Sequence, residues 1–267
     1  MGYELGTARR ISGVVIGVVS DNVHPDGQYA VKLDLPWITS SDAGDDANFP
    51  STWCPVATPM AGGGRGFYAL PEVGDEVVVS FIHGDMRFPV VIGSLWNSES
   101  KAPAGDDGPK EITDPLGNAL GIADTCKDNK AANGENNGRY WVGRAGSGIL
   151  INDTAGKEKL AMWTAKGTHL ALNDEKETIT MSDKGKETYL ALDAKNKKII
   201  LECTNGDIDI LCKKGKFNLE AKEIVTKAEK TQTHESGTDW KQEAGGKMNL
   251  KSGGNMTAEA PKIELNP

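Results

Sequence analysis

The C-terminal part of the chain is a ladder of short apolar pairs, and this pattern restricts the fold more than any other feature. The two members of each pair stand at positions i and i+2, which is the spacing of a β-strand with one apolar face. From Gly148 onward the pairs are Ile149/Ile151, Leu160/Met162, Leu170/Leu172, Ile179/Met181, Leu190/Leu192, Ile199/Leu201, Ile208/Ile210 and Phe217/Leu219. Successive pairs are about nine to eleven residues apart and are separated by residues typical of turns. The ladder therefore predicts short strands that bury apolar surface only by stacking.

Beyond Leu219 the ladder becomes weaker and its steps shorten. Its later members are Ile224, Thr231/Thr233, Trp240, Met248/Leu250, Met256 and Ile263/Leu265. Two arrangements fit such a repeat: one chain coiling alone with three strands per turn, or three copies wrapped around a common axis. The second is favoured because each pair carries little apolar mass, and a threefold axis lets three modest pairs close one layer. About fourteen layers would give a rod on the order of 60 to 70 Å long.

Composition agrees with thin stacked layers rather than a large globular core. Only 38% of the 267 residues are apolar and 6% are aromatic, while 32 are glycine, and the mean hydropathy is -0.43. These values favour an all-β chain. The net charge of -8 disfavours nucleic acid and anionic membrane surfaces as general partners. The N-terminus shows no apolar export signal, so we expect assembly in the cytoplasm.

Residues 1–98 follow a different pattern, with longer β-branched segments and clear turn signals. The predicted strands are Arg10–Val19, Tyr29–Leu35, Trp53–Thr58, Glu76–His83 and Val90–Leu95. Five strands without an amphipathic helix favour a small Greek-key barrel of the OB type. Residues 99–147 are rich in Asn, Asp, Gly and Lys and are interpreted as a polar linker with a short ordered middle around 112–122. Residues 148–267 form the ladder.

Three groups of residues invite a chemical interpretation, and each has a structural alternative. The glycine-rich segment 61–66 does not lead into a helix, so a barrel loop is favoured over a phosphate site. Asp75, Glu76 and Asp85 suit turns and strand ends rather than paired acid-base chemistry. The histidines, His24, His83, His169 and His234, are scattered, although three copies of His169 or His234 would meet on a threefold axis.

No catalytic, cofactor-binding or metal-binding residue is therefore assigned, and the chain is not expected to be an enzyme or to hold a cofactor. The cysteines, Cys54, Cys126, Cys203 and Cys212, lack metal or disulfide spacing and are interpreted as reduced structural thiols. For Cys203 and Cys212 we expect a place in the core beside the apolar pairs. Trp37, Trp53 and Trp96 are interpreted as packing residues of the barrel or of a protein interface, with ligand stacking as the alternative.

The order of several segments resembles the central spike proteins of contractile injection machines, which include phage tail spikes and the VgrG-type spikes of type VI secretion. The resemblance is carried by Tyr29-Ala-Val-Lys-Leu-Asp-Leu-Pro-Trp37, Trp53-Cys-Pro-Val56, Leu70-Pro-Glu-Val-Gly-Asp-Glu-Val-Val-Val-Ser-Phe81, Gly84-Asp85 and Pro89-Val-Val-Ile-Gly-Ser-Leu-Trp-Asn97. In that family these segments form an OB barrel, and the ladder that follows forms a trimeric β-helical needle. The lysozyme domain and the leading hub domain of some members have no counterpart here, and neither does the His-x-His metal motif.

The resemblance implies a structural homotrimer that forms the spike of a phage or injection-particle baseplate and pierces a target envelope. It implies a hub protein that docks on the barrel, for which Trp37, Trp53 and Trp96 are the interface candidates. It also implies a separate PAAR-type tip protein on a platform at Ile263, Leu265, Asn266 and Pro267. The alternative is a β-helical adhesin, like a tailspike, that binds or cleaves glycans.

Overall fold

The computed structural model describes residues 11–39, 48–104, 108–126 and 136–263. Within these ranges the chain is almost entirely β, with one four-residue α-helix, α1 (Ile122–Thr125), and one 3-10 turn at Ile82–Gly84. None of the helices in these ranges is both long and apolar enough to cross a membrane. The predicted all-β fold class with an N-terminal OB-type barrel and a β-rich C-terminal part is confirmed. The intertwining of three copies into a β-helical needle stays a prediction.

The N-terminal barrel is built from six strands in one sheet and a small hairpin beside it. The sheet contains β1 (Val14–Asp21), β2 (Ala30–Thr39), β3 (Asn48–Pro50), β4 (Cys54–Pro55), β7 (Glu76–Phe81) and β8 (Pro89–Leu95), and the hairpin contains β5 (Ala61–Gly62) and β6 (Arg65–Gly66). All five predicted strands overlap observed ones. The predicted strand to His83 ends at Phe81 because His83 has φ of 55°, which belongs to a turn.

Antiparallel pairing in the order β3-β2-β1-β7-β8 curves this sheet, and β4 also pairs with β2. A bridge between Val56 and Val91 then joins the segment after β4 to β8 and nearly closes the barrel. The interior is filled by Val19, Val31, Leu33, Leu35, Cys54, Val77, Val79, Phe81 and Val91. Gly17 allows this packing, since a Cβ there would lie 3.2 Å from Leu35 Cδ2 and 3.3 Å from Leu33 Cδ1.

The segment around residues 112–126 is ordered and packs under the start of the second sheet. Leu120, Ile122 and Cys126 are buried against Leu150 and Ala161. The Glu111 carboxylate accepts hydrogen bonds from the backbone N–H groups of residues 121 and 123 at 2.8 and 2.9 Å, which fixes the turn into α1. The predicted short ordered middle is therefore confirmed as ordered, and it packs against the second sheet.

The second sheet is an antiparallel meander in which every strand pairs with the next along the chain. Its seven strands are β9 (Gly138–Val142), β10 (Gly148–Asn152), β11 (Lys159–Trp163), β12 (His169–Asn173), β13 (Thr178–Ser182), β14 (Thr188–Asp193) and β15 (Lys198–Cys203). The first six predicted pairs lie in β10 to β15, one pair in each strand. Strand β9 extends the sheet ten residues ahead of the predicted start, into the segment interpreted as a linker. The three-domain division stays a prediction.

Tight turns set the register of this meander. After β12, β13 and β14 the chain makes a four-residue turn whose fourth residue donates its N–H to the carbonyl of the first. That fourth residue is Glu177, Lys186 or Lys197, with φ between 54° and 59°. In the turns after β10 and β11 glycine stands at or next to the corresponding place, with φ of 73° and 102° for Gly156 and Gly167. A left-handed residue closing a turn of this kind matches the twist of the strands on either side.

The C-terminal extension, residues 210–263, is a unit separate from the rest of the chain. Between residue 204 and residue 263 the structure has no strand or helix, and every residue there is exposed. The predicted pair Thr231/Thr233 stays a prediction. The neighbouring side chains have contacts of their own, since Gln232 contacts Thr226 and the His234 ring contacts the Trp240 ring.

The cysteines separate into two classes. Cys54 and Cys126 are buried, and burial raises the pKa of both thiols, that of Cys126 to about 11 with Glu111 as a further cause. Cys203 is half-buried and Cys212 is exposed. The expectation that these last two fill a core is therefore wrong for the single chain, because no second layer covers their side of it.

Candidate assembly surface

One side of the second sheet carries two parallel rows of large apolar side chains, which we call the apolar face. Cross-strand pairing aligns the rows residue by residue. The first row is Trp141, Ile149, Met162, Leu170, Met181, Leu190 and Leu201, and the second is Ile151, Leu160, Leu172, Ile179, Leu192 and Ile199. Nine members of the apolar face after Trp141 are 37 to 77% exposed, among them Leu172 at 37% and Met181 at 51%.

The opposite side of the same sheet is covered, although its residues are smaller and partly polar. Its central row is Leu150, Ala161, Ala171, Thr180 and Ala191, all at most 7% exposed. Trp163 packs across Gly148, where a Cβ would lie 2.5 Å from the Trp163 ring, and its Nε1–H donates to the Gly146 carbonyl at 2.8 Å. In an ordinary monomer the side of a sheet that carries most of the large apolar residues is the covered one. In this sheet it is the exposed one.

The C-terminal extension shows the same reversal. It exposes large apolar side chains throughout: Ile210 65%, Leu211 76%, Phe217 63%, Leu219 63%, Val225 78%, Leu250 69% and Met256 61%. Scattered apolar residues on a surface need no explanation, but a long run of this kind marks an interaction surface. An unpaired extended backbone of this length also leaves its N–H and C=O groups without partners from regular structure.

The three tryptophans predicted as interface residues have different surroundings. Trp37 is 43% exposed, and its Nε1–H donates to the Ile16 carbonyl at 3.0 Å. Trp53 is half-buried, with its ring 4.5 Å from the His24 ring and Lys32 Nζ 4.9 Å from the ring centre. Trp96 is 71% exposed. The structure does not give them a shared contact among the described residues, so they are three separate aromatic positions.

Trp96 lies where the barrel meets the second sheet. It lines a cavity of about 420 Å³ together with Tyr140, Trp141 and Arg144. Next to this cavity the Phe67 ring packs on Trp141 at 5.2 Å, and Arg144 forms an ion pair with Glu72 at 3.1 Å. The segment that follows the glycine-rich hairpin therefore touches the first strand of the sheet. Sequence reasoning missed Trp141 because it stands just before the ladder, next to a polar stretch.

The other candidate residues have structural partners. Segment 61–66 is the exposed hairpin β5-β6 and not a loop before a helix. Asp75 accepts a hydrogen bond from the Glu72 N–H at 2.9 Å, Glu76 accepts one from Asn97 Nδ2 at 3.1 Å, and Asp85 pairs with Arg87. These contacts support the predicted roles at turns and strand ends.

The histidines also occupy separate places. His169 is 5% exposed on the covered side of the sheet, and its Nδ1 lies 2.9 Å from the Gly167 carbonyl oxygen. It therefore does not point to the apolar face. His234 is exposed in the C-terminal extension. In the described part of the chain no group of three or more His, Cys, Asp and Glu side chains is placed to hold a metal ion.

Of the platform candidates, Ile263 is the last described residue and is 52% exposed. Leu265, Asn266 and Pro267 lie outside the described residues. The platform for a tip protein stays a prediction.

Comparison with known proteins identifies the barrel. Residues 15–96 match the family described as the type VI secretion system/phage-baseplate injector OB domain. The type VI secretion system spike protein VgrG3 of Vibrio cholerae is 34% identical over 89 residues, which are 33% of this chain and 8% of that protein. Spike protein VgrG5 of Pseudomonas aeruginosa is 36% identical over 92 residues, 34% of this chain and 11% of that protein.

A third relative shows that the same barrel occurs in proteins named for a different activity. The actin cross-linking toxin VgrG1 of Vibrio cholerae is 30% identical over 89 residues, which are 33% of this chain and 8% of the toxin. The matched regions thus span only about a tenth of the length of these relatives. Residues 15–96 are accordingly similar to injector OB domains, and the resemblance of this chain to the VgrG-type spike family is confirmed.

Proposed function

We propose that three copies of this chain form the central spike of a contractile injection machine, of the type VI secretion or phage baseplate kind. The observation that carries the proposal is the succession of an injector OB domain and a sheet that exposes two rows of large apolar side chains on one face. The role is structural. The spike transmits the force of contraction to a narrow tip and has no catalytic step.

The dimensions of the apolar face favour three copies over two or four. Strands β9 to β13 have five residues each, which corresponds to a wall about 17 Å wide. In a three-walled prism with such walls the axis lies about 5 Å from each wall, which is half of the ~10 Å spacing between packed sheets. Four walls would place the axis about 8.5 Å away, too far for Leu, Ile and Met to fill the centre.

Two copies would meet the same spacing face to face but would leave both flanks open. The apolar face is only two side-chain rows wide, so water would reach each row from its side. Three walls cover both rows in every copy. The same arrangement supplies neighbours for the C-terminal extension, whose apolar residues and backbone have none in the single chain.

We further propose that the barrel end docks on the hub of the baseplate and that the far end carries a tip protein. Trp37 and Trp96 are the exposed aromatic candidates for the hub contact, and half-buried Trp53 is the third candidate. The spike would assemble in the cytoplasm, reside in the baseplate and meet the target membrane only during contraction. The glycan-binding alternative is favoured by one observation, the aromatic cavity of Trp96, Tyr140 and Trp141.

The proposal is tested by locating the chain in assembled particles. A peptide tag at Met1 should be found by gold labelling and electron microscopy at the end of the tube, in three copies per particle. Labelling along the sheath, or no association with particles, would contradict the spike role. Binding of cell-wall or surface glycans to the purified chain, quenched fluorescence of Trp96 included, would support the adhesin instead.

A further inference from the structure

The C-terminal extension has an eight-residue repeat that its apolar residues alone do not reveal. The chain bends at Lys222, Glu229–Lys230, Gly237–Thr238, Gly245–Gly246, Gly253–Gly254 and Pro261. Between successive bends, residues eight apart form equivalent i, i+2 pairs. The pairs are Ile224/Thr226, Gln232/His234, Trp240/Gln242, Met248/Leu250 and Met256/Ala258. One pair, Gln232/His234, is wholly polar.

Contacts between neighbouring pairs place the polar pair on the same side of the chain as the apolar ones. Gln232 Nε2–H donates to Thr226 Oγ1 of the preceding pair at 3.3 Å. The His234 ring lies 5.0 Å from the ring of Trp240, which belongs to the following pair. Three copies that bring Ile224, Trp240 and Met248 to the axis therefore also bring Gln232 and His234 there.

Within one chain, Gln232 and His234 each have one nitrogen in a hydrogen bond and one further polar atom that is not in one. Gln232 Nε2 lies 2.9 Å from His234 Nε2. An amide nitrogen can only donate, so His234 Nε2 accepts and the proton of the neutral ring is on Nδ1. Both amide hydrogens of Gln232 are then engaged, by Thr226 and by His234. The Gln232 Oε1 acceptor and the His234 Nδ1–H donor remain, one of each per chain.

We infer that Gln232 and His234 form a polar layer that fixes the register of three copies, an inference that rests on the homotrimer proposed above. His234 Nδ1–H of each copy donates to Gln232 Oε1 of the next, and three such bonds close a ring that leaves neither group unpaired. A buried polar layer with all its groups satisfied specifies one alignment, whereas apolar layers tolerate several.

The repeat itself shows which wrong alignment the layer must exclude. A copy displaced by eight residues would still pair apolar residues with apolar residues over most of the extension. In that alignment Gln232 and His234 would meet Trp240 and Gln242, or Ile224 and Thr226, and the ring of hydrogen bonds could not close. A buried polar group without a partner is strongly unfavourable, so the displaced trimer is disfavoured.

Register is measured by replacing Lys247 with the photo-cross-linking residue p-benzoylphenylalanine in the full chain and mapping cross-linked peptides by mass spectrometry. In the unaltered background all cross-links should join the same level of different copies. In the double variant Gln232→Leu/His234→Leu the trimer mass should persist, while cross-links displaced by eight residues appear. The double variant Met248→Leu/Leu250→Met, which repacks an apolar layer, is the matched control and should keep one register.

Single variants test the pairing itself. Gln232→Leu and His234→Leu each leave one polar partner unpaired in three copies, so each trimer should unfold about tenfold faster or more than the unaltered one. The exchanged variant Gln232→His/His234→Gln retains a donor and an acceptor and should restore a single register. A single register in the Leu/Leu variant, or unchanged unfolding rates in both single variants, would overturn the polar layer. A single-chain mass of the unaltered protein would instead overturn the homotrimer.

Discussion

The barrel and the second sheet are both antiparallel and both alternate apolar with smaller or polar residues, yet they use the alternation in opposite ways. In the barrel the sheet curves and nearly closes, so Val31, Leu33 and Val77 are fully buried. In the open meander the larger side chains, such as Ile179 and Met181, remain 39 and 51% exposed. The barrel thus completes its core within one chain, whereas the meander leaves its apolar face uncovered, and this is the face that we propose other copies cover.

The largest effect is expected from a charge on the apolar face. Leu172 and Ile16 are 37 and 36% exposed in the single chain, but only Leu172 lies on the surface proposed to face the axis. Leu172→Asp should reduce the mass measured by light scattering from that of a trimer to that of a single chain, since three charges would be buried without partners. Ile16→Asp, on the outside of the barrel, should leave the mass unchanged. If Leu172→Asp and Ile16→Asp had the same mass, the apolar face and the outside of the barrel would not differ in the way proposed here.

A smaller effect is expected where the covered side of the sheet has no room. Gly148→Ala places a methyl group 2.5 Å from the Trp163 ring, and overpacking of this kind costs about 1–3 kcal/mol of unfolding free energy per copy. Thermal unfolding followed by tryptophan fluorescence measures this loss. Gly63→Ala is the control in the barrel hairpin, because nothing lies within 4 Å of the added atom. A Gly148→Ala variant as stable as the control would contradict the packing of Trp163.

Thiol labelling compares the buried cysteines of the two cores with the exposed cysteine of the C-terminal extension. Cys54 and Cys126 are buried with raised pKa values, so a thiolate-specific reagent at pH 8 should modify them only on unfolding. Cys212 is exposed in the single chain but lies in the extension that the trimer covers. Its labelling should be slow in the trimer and fast in Leu172→Asp. Fast labelling of Cys212 in the unaltered trimer would show that the extension is uncovered there.

The smallest effect is expected at a turn. Lys197 has φ of 55°, a conformation that glycine adopts more readily than lysine. Lys197→Gly should stabilise the sheet by about 0.5 kcal/mol, because relief of left-handed strain exceeds the added entropy of the unfolded chain. The nearby Lys195→Gly lacks this relief and should be neutral or slightly destabilising in chemical denaturation. A destabilised Lys197→Gly variant would contradict the turn geometry.

The sequence predicts the strands well between residues 149 and 201, whereas Ile208/Ile210 and Phe217/Leu219 repeat with the same period of two but lie in no strand. The pairs from Ile149/Ile151 to Ile199/Leu201 all lie in strands because alternation is a local property of the chain. Strands β5 and β6 were missed because two-residue strands in a glycine-rich segment carry no such signal, and β9 was missed because it follows a polar stretch. Strand ends shifted by up to four residues, as at Val14, where turns rather than side chains decide the boundary.

The candidate surfaces were harder to predict because they depend on contacts that are distant in sequence. The ladder predicts an apolar face but not that Trp141 joins it or that Phe67 packs on Trp141. The surroundings of Trp37, Trp53 and Trp96 depend on three separate sets of neighbours, which are Ile16 for Trp37, His24 and Lys32 for Trp53, and Tyr140 and Trp141 for Trp96. Gln232 and His234 were missed since polar residues give no hydrophobic period, and the inference of a polar layer rests on their contacts with Thr226 and Trp240.

The central claim is that the outward-facing apolar rows are the interior of a trimer. The mass of the purified full-length chain in solution tests it most directly, by size-exclusion chromatography with multi-angle light scattering. Three copies of the 28.5 kDa chain should give about 86 kDa at all concentrations down to the nanomolar range, because intertwined copies separate slowly. A monodisperse species at 28.5 kDa would contradict the account.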